Sequence, residues 1–306
     1  MLHVSNACAR LRGSAHTIHE RRLTGLALAL CSALLVAGPA AAQPPYTPPP
    51  PPPPPQPAQT APEPEPGPHL GPKQLDQLVS RIALYPDPLL AQIFSASTYW
   101  DEIPAAAEWA NQHSFLTGDK LADAIREDNL PWNPAVIALL PFPSVLNMMA
   151  QDPAWTQQLG SAVLSQRAEA MDAVQRMRRQ AYRYGYLRTS PYDTVVDAGG
   201  YVQIVPVNPA YIYVPVYDPL VVFGPPPPGF VIGGAIRFGP VVVVGAAFAP
   251  WGWAHPDIAW STHGIFFDFT PWGRVWENRG FYVHPYEHGW LHGPGPRVEH
   301  HTIHRH

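Results

Sequence analysis

Cysteine and charged side chains are scarce in this sequence. The two cysteines, Cys8 and Cys31, both lie within the first 42 residues. If that segment is removed, the remaining chain has no disulfide, no thiolate metal site and no cysteine nucleophile. Charged residues make up 14% of the chain, against about a quarter in ordinary globular proteins. The rest of the chain must therefore be held together by ordinary packing.

An excess of positive charge is also absent. Beyond residue 42, the chain carries 15 Lys and Arg residues against 22 Asp and Glu residues. Proteins that bind nucleic acid need a basic surface for the phosphate backbone. The charge balance therefore argues against nucleic acid as a partner.

Familiar catalytic motifs are missing as well. The sequence has no glycine loop with a lysine for phosphate binding and no Gly-x-Ser-x-Gly nucleophile turn. Neighbouring carboxylates such as Asp101-Glu102 and Glu127-Asp128 would point to different faces of a helix, so their spacing makes no acid–base pair. From these patterns we predict no catalytic residue, no cofactor-binding residue and no defined metal-ligand set.

Histidine supplies the one formal match to a catalytic pattern. The segment His284-Pro285-Tyr286-Glu287-His288 fits the inverted zinc-peptidase motif His-x-x-Glu-His. That chemistry needs both imidazoles on one helix face, and a proline inside the motif opposes a helix. A looser hypothesis is that the histidine-rich end binds Zn, Cu or Ni, and the alternative is that its histidines are solvated. Its members are His284, His288, His292, His300, His301, His304 and His306.

Residues 1–42 have the pattern of a cleavable secretory signal. Four arginines precede an apolar run over residues 23–38, and Ala40-Ala41-Ala42 supply small side chains for cleavage before Gln43. The run is shorter than the roughly 20 residues of a membrane span. The alternatives are an uncleaved anchor, a lipoprotein site at Cys31 and a twin-arginine signal. We predict a periplasmic or otherwise exported protein of the cell envelope.

Residues 43–72 are predicted to be a proline-rich disordered linker. They contain 16 prolines, eight of them consecutive from Pro48 to Pro55. Proline removes backbone donors and favours polyproline II, which rises about 3.1 Å per residue. We interpret the segment as a passive tether or a stalk that sets the following domain at a distance. A ligand for proline-binding modules is the alternative.

Residues 73–190 are predicted to form a helical domain. Apolar residues recur at helical spacing from Leu75 to Tyr85 and again from Leu89 to Ser97. Four further short helices are expected, at 104–112, 119–128, 134–140 and 143–150.

Three pairs, Asp87-Pro88, Asn133-Pro134 and Asp152-Pro153, are expected to begin helices. The side-chain oxygen would accept an orphan backbone N–H, and proline at the first helical position loses no hydrogen bond. We therefore interpret Asp87 and Asp152 as helix caps and not as catalytic groups.

One long helix is expected to close the helical domain. Its apolar stripe is interrupted by the polar Gln166 and consists of Trp155, Leu159, Val163, Ala170, Val174, Met177 and Ala181. The arginines near its end are expected to lie in solvent and to complement the helix dipole, with a patch for anionic lipid or polymer as the alternative. These arginines are Arg176, Arg178, Arg179, Arg183 and Arg188.

Residues 191–223 are predicted to form a small antiparallel β segment. Apolar runs before and after Gly199-Gly200 indicate a hairpin, and a further run extends from Tyr211 to Phe223. Four prolines in this stretch restrict the strands to edges or short pieces.

Residues 224–306 are predicted to be a low-complexity region rich in glycine, aromatic residues and histidine. Within it, residues 230–250 are apolar apart from Arg237, which would cost about 3 kcal/mol at the centre of a bilayer. We therefore expect a glycine-rich strand or a membrane-surface segment there, with strand character at Val241–Val244. A membrane span is the alternative.

Several long, ordered motifs run through residues 75–223. The first, from Leu75 to Gln92, reads Leu-Asp-Gln-Leu-Val-Ser-Arg-Ile-Ala-Leu-Tyr-Pro-Asp-Pro-Leu-Leu-Ala-Gln. Further motifs lie at 132–136, 142–146, 155–160 and 213–219. In these motifs the chain resembles domain-of-unknown-function family 3300, and the resemblance implies an exported Gram-negative bacterial protein with a variable tail. It implies no reaction and supplies no catalytic residues.

Taken together, these patterns predict an α+β protein. A multi-helix N-terminal domain is followed by a small antiparallel β segment, with a disordered linker and tail. The favoured function is a non-enzymatic structural or interaction protein of the envelope, with an envelope protein or a cell-wall polymer as partner and contact with a membrane surface as a further possibility. The alternatives are an envelope hydrolase whose site is assembled across the helical domain and a metal-binding role for the histidine-rich tail.

The signal hypothesis makes a direct prediction about the exported chain. Its first residue should be Gln43, because signal peptidase accepts the small side chains that precede it. N-terminal sequencing of the protein from the periplasm or medium checks this. A mature chain that begins at Cys31, or one that keeps residues 1–42, would contradict the prediction.

Overall fold

The computed structural model describes residues 67–229, 232–284 and 286. The predicted signal, most of the linker and the histidines from His288 onward lie outside this range. The last residues of the linker, 67–72, are described, and they contact the helical domain. The Ser165 hydroxyl donates to the Pro68 carbonyl oxygen at 2.8 Å, and the Leu70 amide donates to the Gln166 side-chain oxygen at 2.9 Å.

The described residues form nine α-helices and one 3-10 helix. Seven of the α-helices carry proline in their first two positions, where its missing N–H leaves no partner unsatisfied. The α-helices are α1 (Pro72–Val79), α2 (Asp87–Ser97), α3 (Ile103–Gln112), α4 (Asp119–Asp128), α5 (Pro134–Ile137), α6 (Pro143–Gln151), α7 (Pro153–Ser165), α8 (Arg167–Arg183) and α9 (Pro219–Val222), and the 3-10 helix is Ala246–Trp251.

Helix α2 lies at the centre of the helical layer. Ten of its 11 residues are buried, and it packs against α7, while α1 packs against α8 and α3 against α6. The approach of α2 and α7 depends on Gly160, because a Cβ there would lie 2.1 Å from the Ser97 carbonyl oxygen. A side chain larger than hydrogen at this position would force the two helices apart.

The prediction of one long closing helix is wrong, because the chain breaks at Gln166. This residue has φ −150° and ψ 51°, so α7 ends before it and α8 begins after it. Its buried side chain accepts the hydrogen bond from Leu70. The polar residue that interrupts the apolar stripe therefore marks a helix boundary, and it also fixes the segment that leads into α1.

Seven strands form three small antiparallel sheets in the described part of the chain. Hairpin β1–β2 turns at Gly199-Gly200, with φ of 61° and 86°, which are the positive values that a tight hairpin turn requires. This confirms the hairpin predicted from the sequence. The strands are β1 (Asp193–Ala198), β2 (Tyr201–Pro206), β3 (Tyr211–Tyr217), β4 (Ile236–Val243), β5 (Asp257–Ala259), β6 (Gly264–Phe267) and β7 (Thr270–Pro271).

Strand β3 pairs with a segment that lies beyond the predicted β segment. Its partner is β4, and the register shifts between Tyr213 and Pro215 because proline cannot donate to the ladder. Strand β4 occupies part of the apolar stretch 230–250, so the expectation of a glycine-rich strand is confirmed there. Among the described residues, no helix is long and apolar enough to cross a membrane.

The Trp-rich segment after β4 packs on the helical layer. The Gln92 side chain donates to the Gly252 carbonyl oxygen at 2.7 Å, and the Trp253 indole donates to the Ala138 carbonyl oxygen at 2.8 Å. The aromatic side chains of this segment belong to the same hydrophobic core as α2. The α+β architecture is thus confirmed, with helices and small sheets sharing one core.

Candidate functional site

A fully buried arginine joins the helical layer to the sheets. Arg178 of α8 has 0% of its surface exposed. Its Nε donates to the Ala83 carbonyl oxygen at 2.8 Å, and its Nη2 donates to the Tyr85 carbonyl oxygen at 2.8 Å. Its Nη1 donates to Asp87 Oδ1 at 2.5 Å and to the Val202 carbonyl oxygen at 2.9 Å. One side chain therefore ties α8 to the start of α2 and to β2.

The carboxylate of Asp87 receives donors on both oxygens. Besides Arg178, the Ile204 amide donates to Oδ1 at 3.4 Å and the Trp260 indole donates to Oδ2 at 2.9 Å. The Arg178 guanidinium also lies over the Trp260 ring, 4.8 Å from its centroid, a cation–π contact. Burial raises the pKa of Asp87, whereas Arg178, Trp260 and Ile204 act against that rise. Three donors and no acceptor are the surroundings of a carboxylate ion.

The expected role of Asp87 as a helix cap is wrong. No side-chain hydrogen bond caps α2, because both Asp87 oxygens are engaged elsewhere. The other two predicted caps are confirmed: Asn133 accepts from the Ala135 amide, and Asp152 accepts from the Trp155 amide. The expectation that the arginines near the end of α8 lie in solvent is also wrong for Arg178.

The periodicity of α8 carries a signal for the burial of Arg178. Position 178 follows Val174 by four residues and precedes Ala181 by three, and both of these residues are fully buried. Residues at such spacing share a helix face. An arginine on an apolar face needs buried partners, but the sequence does not say which ones.

A large cleft opens beside Asp87, and we name it the aromatic cleft. Its volume is about 970 Å3, and it lies between the start of α2, strand β2, the 3-10 helix and the β5–β6–β7 sheet. Its lining is mainly apolar and aromatic, with a few polar groups, as in many ligand sites. The lining residues used below are Gln203, Trp253, His255, Asp257, Phe266 and Phe269.

The rim of the aromatic cleft holds strained backbone. His255 and Phe269, which line the cleft, have φ of 96° and 60°, and Asp268, which precedes Phe269, has φ of 46°. Non-glycine residues rarely adopt this left-handed region. The imidazole of His255 stacks on the Phe269 ring with centroids 4.6 Å apart, and its Nδ1 lies 3.7 Å from Asp268 Oδ1. Strained residues of this kind concentrate at ligand sites and switch regions. The rim is therefore the best-defined surface candidate among the described residues.

A second, smaller cavity lies on the other side of β2, and we name it the Asp193 cavity. Its volume is about 200 Å3. Asp193, at the start of β1, is 4% exposed, and its Oδ1 has no hydrogen-bond partner among the described residues. Burial, together with the Asp87 carboxylate, raises the pKa of Asp193 to about 7.

Of the seven histidines in the histidine-rich end, the structure describes only His284. His284 is fully buried, packed 5.4 Å from the Phe267 ring and 3.8 Å from the Tyr286 ring by their centroids. Burial, with a smaller contribution from Arg274, lowers the pKa of His284 to about 3. It lies outside any helix, unlike the first histidine of a zinc-peptidase motif. No group of three potential metal ligands occurs in the ranges described, and His288 and His292 lie outside them.

Comparison with known proteins places these features in one family. The model of the family described as Protein of unknown function (DUF3300) matches residues 71–278. The uncharacterized protein YacH of Escherichia coli (strain K12) is 33% identical over 183 residues, which cover 49% of this chain and 29% of that protein. This chain therefore spans less than a third of that relative's length. No solved structure matches the chain.

Replacing Arg178 tests the importance of the buried charge. In Arg178→Met, Asp87 loses its main partner and is left inside the protein as an unpaired charge or as an acid that has taken up a proton, so the free energy of unfolding should fall by about 3 to 5 kcal/mol. Denaturant unfolding monitored by circular dichroism measures the loss.

The matched control lies two residues earlier on the same helix. Arg176 pairs with Asp76 at 2.7 Å, and both side chains reach solvent, so Arg176→Met should cost at most about 1 kcal/mol. Equal losses in the two variants would show that the buried pair has no special weight.

The raised pKa of Asp193 predicts that the free energy of unfolding depends on pH. The pKa of an unperturbed aspartate is 3.8, and burial raises the pKa of Asp193 to about 7 in the folded chain. Between these two pH values, the folded chain therefore keeps a proton that the unfolded chain has released. Stability from this group is therefore present below pH 4 and is lost as the pH rises to 7. Asp193→Asn has no such loss. Its free energy of unfolding, relative to wild type, should rise by roughly 2 to 4 kcal/mol between pH 4.5 and pH 8. A difference that stays constant with pH would contradict the prediction.

Proposed function

The chain belongs to the DUF3300 family, and from that starting point we propose that it is an exported, non-enzymatic interaction protein of the cell envelope. The proposed binding surface is the aromatic cleft. The support for export is the signal pattern of residues 1–42, with its apolar run and the small residues before Gln43. The family description names no activity, so the proposal depends on the chemistry of the site.

The observation that carries the proposal is that the cleft is open and mainly apolar, whereas the carboxylate in its wall, Asp87, is already hydrogen-bonded within the protein. Asp87 lies at the cleft wall, yet its oxygens accept from Arg178, Ile204 and Trp260. A carboxylate bound in this way stabilises the fold and is poorly placed to exchange protons with a substrate. The open volume next to it is lined by aromatic and apolar groups that suit binding.

We take a glycan strand of the cell wall as the partner. The C–H faces of a sugar ring pack well against aromatic rings, and Phe269 offers such a ring with 76% of its surface exposed. The hydroxyl groups of a sugar need planar polar partners, which Gln203, His255 and Asp257 supply around the same cleft. A purely apolar groove would favour a hydrophobic protein segment or a membrane surface instead.

An envelope hydrolase is the second candidate. Its supporting observation is that Asp257 at the start of β5 and His255 just before it line the cleft beside Asp87 of α2, so that titratable groups from two parts of the fold line one volume. In that function Asp257, which is exposed, would act as the acid or base.

Binding to purified, insoluble peptidoglycan tests the first proposal. The full-length mature protein should co-sediment with it, and Phe269→Ala should lower the affinity by about fivefold or more, because an aromatic anchor contributes upward of 1 kcal/mol. The matched control is Phe115→Ala. Phe115 is 77% exposed and is also stacked near a histidine, His113, but it does not line the aromatic cleft.

The two candidates give different results in the same assay. Binding that Phe269→Ala weakens and Phe115→Ala leaves unchanged, without release of soluble fragments, supports the interaction function. Release of fragments that is lost in Asp257→Asn supports the hydrolase. Absence of co-sedimentation, or equal binding of the two phenylalanine variants, contradicts the proposed site.

A further inference from the structure

The Asp193 cavity shares only strand β2 with the aromatic cleft. The turn at residues 185–190 that follows α8 closes one side, and strands β1, β3 and β4 contribute to the others. Its apolar wall includes Leu84, Val195 and Ile204. A volume of about 200 Å3 corresponds to roughly six water molecules, which is the size of a small amino acid.

Asp193 lines this cavity and has a buried carboxylate oxygen without a hydrogen bond among the described residues. Its backbone is fixed, since its amide donates to the Ser190 hydroxyl at 3.1 Å and its carbonyl oxygen accepts from the Ser190 amide at 2.9 Å. Its carboxyl group is buried, and Oδ1 has no donor in the described part of the chain. A buried oxygen without a hydrogen bond costs free energy, and a ligand with an N–H donor would recover that cost.

A cation, Arg188, also lines this cavity. Its guanidinium lies over Gly185, where a Cβ would come within 2.6 Å of Arg188 Nη2. No hydrogen bond or ion pair of this guanidinium occurs among the residues described. Arginine presents a planar fork of donors that matches a carboxylate. The cavity thus offers one anionic group and one cationic group.

We propose that the Asp193 cavity binds a small free α-amino acid. The ammonium group donates to the Asp193 carboxylate, the carboxylate of the ligand accepts from Arg188, and a short side chain packs against Val195 and Ile204. A simple amine would leave Arg188 unused, and a simple carboxylic acid would leave Asp193 without a donor. The two groups together therefore select a zwitterion.

The charges around the cavity make ligand binding depend on pH. Asp87 repels a second negative charge at Asp193, while Arg178 is already paired with Asp87. Tyr186 and Arg188 are the other titratable groups that line the cavity. Because the ligand requires the ionised form of Asp193, its binding should release a proton and tighten as the pH rises from 6 to 8.

Isothermal titration calorimetry of the full mature chain tests the proposal. The probes are glycine, L-alanine and D-alanine, with ethylamine, propionate and betaine as controls. Betaine carries both charges of an amino acid but has no N–H donor. At least one of the three amino acids should bind, and each control should bind at least about tenfold more weakly, because a lost charged hydrogen bond is worth about 1.5 to 3 kcal/mol.

Single substitutions test the group that binds the ammonium and the group that binds the carboxylate separately. Asp193→Asn and Arg188→Gln should each weaken amino-acid binding by about tenfold or more, and circular dichroism shows whether the variants fold. Arg183→Gln is the matched control, since Arg183 ends α8 and does not line the cavity. Phe269→Ala should also leave this binding unchanged, which makes the result independent of the aromatic cleft.

Three outcomes would overturn the proposal. The first is absence of heat with all three amino acids. The second is amino-acid binding that a folded Asp193→Asn variant retains in full. The third is ethylamine or propionate binding as tightly as the amino acids, because the site would then not recognise a zwitterion.

Discussion

The buried pair of Arg178 and Asp87 is the interaction on which the rest of this structure depends. A guanidinium without solvent must place its donors on protein acceptors, because an unpaired buried charge is prohibitively costly. Arg178 meets this need with carbonyl oxygens before α2 and in β2 and with the Asp87 carboxylate. Helix α8, the start of α2 and the first hairpin are thereby brought to one point. The Trp260 indole completes the cluster and ties the last sheet to it.

Both candidate sites adjoin this cluster. The aromatic cleft lies on one side of β2 with Asp87 in its wall, and the Asp193 cavity lies on the other, with Ile204 shared between the cluster and the cavity. Burial raises the pKa of Asp193, and the charge of Asp87 adds to that rise. A group that organises the fold therefore also acts on a residue that lines the second site. A buried pair contributes little net stability compared with apolar packing, and its evident effect here is to specify one arrangement of helices and sheets.

The parts of the fold that depend on neighbouring residues were predictable from the sequence. Helical spacing located the short helices, and Gly199-Gly200 located the hairpin. The two confirmed caps followed from Asn133 and Asp152. The parts that depend on distant residues were not. Gln166 interrupts the apolar stripe in the sequence, but its partner Leu70 lies 96 positions away. Asp87 has the local pattern of a cap, yet donors 91 and 173 residues away engage its oxygens. The strained rim at His255 and Phe269 has no sequence signal, because backbone strain is imposed by the surrounding fold.

The most direct test of this account is native-state hydrogen exchange at the junction between the layers. The Val202 amide donates to the Gln175 side chain at 2.8 Å, and the Ile204 amide donates to Asp87, so both report the attachment of β2 to the helices. If the buried pair unites the layers, these amides should exchange with the same free energy as those in the middle of α2, because only global unfolding exposes them. Exchange of Val202 and Ile204 at a clearly lower free energy, while α2 stays protected, would mean that the hairpin opens by itself. That result would contradict the central role given to Arg178 and Asp87.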